Sequence, residues 1–167
     1  MINKRCLVTP KERKNKIRSY GKAHAELKQA LRKFPKRMWK YKPGPDRWSI
    51  HEIIVHMADS EANSYVRCRR FIAEPGKQVL GYDENGWSRV LDYHRQSTEI
   101  ALELFKHLRK SSYELIKSLP DSVWSNVVEH TERGIMTFDQ WLETYEKHTH
   151  GHISQMQKNY ESWKASR

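Results

Sequence analysis

Apolar residues in this chain recur every three or four positions, the spacing that lines one face of an α-helix. The first stripe is Ile17, Tyr20, His24, Leu27, Leu31 and Phe34. It predicts an amphipathic helix over 11–34, opening near Pro10, which a first turn tolerates, and ending at Pro35. The turn-rich stretch YKPGPDRW, 41–48, follows. Ser49 and Glu52 then stand three apart, a capping box that opens a second helix. Its inner face carries Ile53, Met57, Ser60, Ser64 and Arg67, with Ile50, Ile54 and Tyr65 alongside, and EPGK, 74–77, stops it.

After the loop QVLGYDENG, a third stripe runs through Trp87, Val90, Leu91, His94, Ala101, Leu102, Phe105, Leu108, Leu115 and Ile116. It predicts one long buried helix over 86–118, closed by Pro120. The segment VVEHTERGIMTF, 127–138, has short apolar runs around a charged turn and reads as a small hairpin or extended loop. Thr137 and Gln140 form another capping box and open the last helix, which runs to about 163. Trp141, Tyr145, His148, His152, Met156 and Trp163 form its seam. Four long helices with apolar seams predict an all-α fold, a four-helix bundle with a short irregular or hairpin insertion before the last helix. Long connectors permit a crossover topology. Residues 1–10 carry no stripe and are expected to be flexible, with 11–167 a single domain.

Composition agrees: in 167 residues there are seven glycines and six prolines, too few for a many-turned sheet protein. The net charge of +11 is uneven. Residues 1–47 hold sixteen Lys or Arg against three Asp or Glu, a balance of +13; the rest hold fifteen against seventeen, a balance of −2. The basicity belongs to the N-terminal segment, as a solvated helix face or as a contact for nucleic acid or another anionic partner. No DNA-binding motif accompanies it, and its aromatics do not interleave into a stacking platform, so nucleic acid is the weaker reading. The two cysteines form no CxxC pair, there is no secretion signal and no apolar run long enough to span a membrane. A cytoplasmic protein without a membrane partner is expected.

The candidate chemistry lies in histidines. Of nine, three fall in EKHTHGHISQ, 146–155. At about 100° per residue, His148 and His152 stack on one helix face, while His150 points to the other side. The pair shares its face with Trp141, Tyr145 and Met156, so it points into the bundle. Two imidazoles four apart can chelate a transition metal, but a working site wants a third ligand from a facing helix. His24, His56 and His94 are the candidates. HEIIVH, 51–56, is HExxxH rather than HExxH, so it is not a zincin motif; Glu52 is the acid of the capping box. Gly151, between the paired histidines, costs a helix about 1 kcal/mol relative to alanine. It either permits a close helix approach or has no role.

The stretches DRWSIHEIIVHMADSE, GYDENGWSRVLDYHRQS and LPDSVWSNVVEHTERGIMTFDQWLETYEKHTHGHISQM together resemble the DinB/YfiT-like superfamily of metal-dependent enzymes, over about 45–160. The resemblance implies a left-handed, up-down-down-up four-helix bundle. It implies a divalent transition metal, most often zinc or nickel, on three histidines that match His56, His148 and His152 here. Some members transfer a low-molecular-weight thiol such as bacillithiol, so the first expectation is thiol transfer to a small electrophilic substrate. A hydrolase using metal-activated water and a non-enzymatic binding protein are the rivals. Tyr82 and Asp83 match a family segment bordering the pocket. His24 and His94 are further candidates for the cavity wall, against a role as ordinary core histidines. Arg67 would meet an acidic group of the substrate or form a surface salt bridge. Cys68 has no histidine partner by sequence and is not expected to be a nucleophile. A homodimer through an apolar face is also expected.

Overall fold

The computed structural model describes residues 8–167. Residues 1–7, with Cys6 and most of the stretch expected to be flexible, lie outside the described residues. Helices α1 (Pro10–Leu31), α2 (Ile50–Ala73), α3 (Glu84–Val90), α4 (Thr98–Ile116) and α5 (Phe138–Ala165) are joined by short turns and by strands β1 (Gln78–Val79), β2 (Val127–His130) and β3 (Gly134–Thr137). The three longest helices each open on a capping box. Ser49 and Glu52 start α2, and Thr137 and Gln140 start α5, as the sequence predicts. A third box, Thr9 with Glu12, starts α1. Helix α1 ends at Leu31 rather than Phe34. A residue preceding proline is pushed out of helical conformation, and Phe34 reaches the core from beyond the helix end.

The expected single helix over 86–118 is broken. Helix α3 stops at Val90, Asp92 takes a left-handed conformation with φ 46°, a single 3-10 turn spans Tyr93–Arg95, and Ser97 caps α4 by accepting the Ile100 N–H. The apolar period runs through the break and hides it. Trp87, Val90 and Leu91, expected on the buried stripe, are exposed, Val90 at 83%. Tyr93 is instead fully buried, and its hydroxyl donates to Asp59 on α2. That anchor folds the segment back onto α2, which α3 also contacts.

Helix α1 packs against α4 and α5, and α2 packs against the same two. Helices consecutive in the main bundle, α1 and α2 or α4 and α5, therefore face each other across its diagonal, which their long connectors allow. Of the two readings of 127–138, hairpin or extended loop, the hairpin is present: β2 and β3 pair antiparallel with Val128 opposite Met136. Strand β1, which the sequence did not suggest, adds in parallel beside β2, giving the order β1-β2-β3.

Two apolar clusters fill the interior. One gathers Leu27, Phe34, Ile53, Tyr93, Phe105 and Met156; the other gathers Tyr20, Phe71, Trp124, Val128, Phe138 and Trp141. Between them lie polar residues: buried His56, Ser60 and Glu61 on α2, buried Arg109 on α4, and buried Thr149 with half-buried His148 on α5. The site is built in this layer. Among the described residues no helix is long and apolar enough to cross a membrane.

Glycine marks one tight contact, at Gly21. A Cβ there would lie 2.6 Å from the Tyr113 ring on α4. Gly151 has nothing within 4 Å of such an atom, so it permits no close helix approach. Gly151→Ala should stabilise the fold by about 1 kcal/mol, read as a melting temperature higher by roughly 2–4 °C. Gly21→Ala should cost about 1–3 kcal/mol from overpacking. A destabilised Gly151→Ala protein would contradict the open space at that position.

Candidate metal centre

His56 sits on the second turn of α2, whose start is held by Ser49 and Glu52. The Glu52 carboxylate accepts the Ser49 N–H at 2.8 Å and Lys42 Nζ at 3.0 Å, so it caps the helix and is spent there. His148 and His152 lie one turn apart on α5, their rings 4.4 Å between centroids and nearly perpendicular at 85°. Ligand atoms of all three lie within 4.8 Å of one another, the metal-ready cluster found among the described residues. His148 Nε2 stands 3.3 Å from His56 Nε2 and 3.1 Å from His152 Nε2.

A neutral imidazole carries one N–H and one bare lone pair. His148 Nε2 can give a proton to one neighbour, never to both. His152 Nδ1 lies 3.0 Å from Gln155 Oε1, which can only accept, so Nδ1 carries the hydrogen and Nε2 turns a lone pair inward. His56 Nδ1 is buried without a partner. Burial, reinforced by the neighbouring histidines, holds His148 well below the usual range and His56 down to about 3. Burial lowers His152 too, against the Gln155 contact. The three rings are therefore neutral near pH 7, with more inward lone pairs than protons to fill them. A divalent transition ion suits that donor set, since imidazole nitrogen ligates zinc and nickel alike. Gln155 orients one ligand from behind, as outer partners of metal-bound histidines do. Trp48 closes the other side, its ring 4.5 Å from that of His56, held in place by Asn159 Nδ2 donating to its carbonyl at 2.8 Å.

On its open side the cluster meets a narrow cleft of about 50 Å³. His148 and Ser60 form the inner end, with Ser60 Oγ 3.5 Å from His148 Nε2. Tyr82, Arg67, His130 and Arg133 line the way out. Tyr82 thus lies on the cleft, its hydroxyl buried and without a hydrogen-bond partner. Asp83 does not: its side chain caps α3 by accepting the Gly86 N–H at 2.8 Å. His94 lies tilted against His51, at 5.8 Å, in a separate surface depression, and His24 packs 6.4 Å from Phe105. Neither joins the three histidines or the cleft wall. Cys68 is buried and its thiol is pushed up to about 12, so it is inert. The sequence reading missed His130, Arg133 and Glu84. Their only signal was the charged turn of the hairpin and the start of a helix placed two residues too late.

The fold is shared with YfiT of Bacillus subtilis, whose solved structure is described as a probable metal-dependent hydrolase with an unusual four-helix bundle topology. The two superpose with a TM-score of 0.85 at 24% identity, covering 93% of this chain and 89% of that one. In sequence the chain is 28% identical to YfiT over 146 residues, 86% of its own length and 82% of the relative's. Relatives from Oceanobacillus iheyensis and Halalkalibacterium halodurans, also named for metal-dependent hydrolysis, are 29% and 25% identical over 64% and 66% of this chain. Those matches span less than two thirds of either relative, 62% and 64%. The model of the DinB superfamily matches residues 20–156, from the middle of α1 to beyond the third histidine. With that match over most of its length, the chain belongs to the DinB superfamily.

Proposed function

We propose that this protein is a metal-dependent hydrolase of a small molecule, with the metal held by His56, His148 and His152. The observation that carries the reading is the convergence of three neutral imidazoles, one of which, His148, lines a solvent-reaching cleft. A zinc or nickel ion bound there would supply Lewis acidity, which can bring the pKa of water down to roughly 7. The chain's own groups do the rest. Ser60 can orient a hydrogen-bonding group beside His148. The Tyr82 hydroxyl, kept protonated by its burial, can donate to a substrate oxygen. Trp48 excludes water from the back of the ligands.

Transfer of a low-molecular-weight thiol would use the same three ligands, and the cleft lining gives it no separate support. Hydrolysis, which the relatives' names also suggest, is therefore the first reading. Elemental analysis of the purified protein should find about one divalent metal per chain for the three-ligand site. The loaded protein should cleave at least one member of a panel of small esters and amides. Chelation should reduce cleavage to background and added metal restore it, with no thiol required. A strict thiol requirement would move the assignment to transfer; metal-independent cleavage would end it.

A further inference from the structure

We propose that the cleft beside the three histidines takes a substrate bearing an anionic group, a carboxylate by preference, held by Arg67 and Arg133 while the reacting end lies at His148. The inference rests on the metal reading above and names the class of substrate. Four arginines of the described chain pair with carboxylates, Arg13 with Asp139, Arg70 with Glu74, Arg95 with Asp92 and Arg109 with Glu61; what sets Arg67 and Arg133 apart from the remaining unpaired ones is their place on the cleft wall. Arg67 and Arg133, which both line the cleft, make no such pair within 4.0 Å among the described residues.

Arg67 is nevertheless held in place. Its Nη1 donates to the Tyr145 hydroxyl at 2.7 Å and its Nη2 to the Leu80 carbonyl, both neutral acceptors. A guanidinium fixed by neutral groups keeps its charge available to a ligand and has already lost its rotamer freedom. Arg133 projects from the exposed turn between β2 and β3 at the cleft mouth. Glu84 is the one carboxylate on the lining, set against two guanidinium groups, so the wall is net positive.

Neutral donors add to it. His130 Nδ1 accepts the Glu132 N–H at 3.2 Å, which leaves its hydrogen on Nε2. The Tyr82 hydroxyl is buried without a partner. Two cations and two unspent neutral donors around one narrow space suit an acceptor-rich anion such as a carboxylate. The same wall would repel a cationic substrate.

The test uses the full-length zinc-loaded protein and two metal-chelating probes of equal length, succinic acid monohydroxamate and its neutral terminal amide. Calorimetric titration should find the acid binding about tenfold more tightly than the amide, the gap between charged and neutral hydrogen bonds. Arg133→Gln, at an exposed turn, should keep one zinc, keep the amide's affinity and lose the acid's advantage. Equal binding of acid and amide would overturn the proposal, as would an undiminished advantage in Arg133→Gln. If both probes fail on a protein that retains its zinc, the cleft does not lead to the metal and the proposal falls alone. If zinc itself does not bind, the metal reading falls and takes the proposal with it.

Discussion

His148→Ala abolishes metal binding while leaving the helical fold in place. This is the largest functional effect expected of any single substitution here. His148 Nε2 is the atom that the other two histidines both approach, at 3.3 Å and 3.1 Å. Without it, His56 and His152 remain as two ligands on different helices. Loss of an outer-shell partner typically weakens metal affinity by about 10–100-fold. Loss of the central ligand should exceed the upper end of that range. Metal binds the folded state, so at a concentration 1,000 times Kd it should add about 4 kcal/mol to native stability. For a chain of this size that is roughly 8–16 °C in melting temperature. The native protein should show this rise on adding zinc or nickel; the variant should melt at one temperature with or without metal. Unchanged helical circular dichroism would separate loss of the site from loss of the fold. A His148→Ala protein that keeps one metal per chain would show that the cluster is not the site.

The second large effect is on stability. Arg109 and Glu61 are each 1% exposed and face each other at 2.5 Å. Tyr20 donates to the other Glu61 oxygen at 2.8 Å, Arg109 Nη1 donates to the Tyr145 carbonyl at 3.1 Å, and the guanidinium lies 4.0 Å from the Tyr20 ring centroid. This network ties together all four main helices. Arg109→Met would leave the Glu61 carboxylate buried with a single donor. Removing one member of a buried ion pair typically costs about 3–5 kcal/mol, here roughly 6–20 °C in melting temperature. Removing both charges together, as Glu61→Leu with Arg109→Met, should cost much less than the two single changes summed, because neither charge is then left alone. Urea denaturation of the four proteins measures this. Additive losses would show that the pair acts as two independent packing residues. The network also bears on the histidines, since Arg109 helps hold His148 neutral. Glu61→Gln should therefore weaken metal binding as well, by leaving a bare guanidinium near the ion.

Much of the site was legible because it depends on local periodicity. His148 and His152 are four residues apart on a helix that opens on Thr137 and Gln140, and that spacing alone puts them on one face. His56 was one of three candidates for the third ligand by residue type and position. Resemblance singled it out, and in space its Nε2 meets that of His148. His94 could not be set aside from the sequence, because the apolar period runs unbroken from Trp87 to Ile116. The break at Asp92, anchored by Tyr93 on α2, sends His94 to the surface beside His51. Asp83 shows the same limit. A capping aspartate and a cleft aspartate look alike until the first turn of α3 is placed.

The sequence by itself determined the helical stripes, two of the three capping boxes and the inward pair of histidines. These follow from side-chain period and from hydrogen bonds between residues three or four apart, which any segment carries with it. Tertiary structure alone decided which distant groups meet. It brought Arg67 from α2, Tyr82 from a loop, and His130 and Arg133 from the hairpin to one cleft, and it buried Glu61 against Arg109. Such encounters depend on how helices cross and where connectors turn back, and no local pattern encodes them.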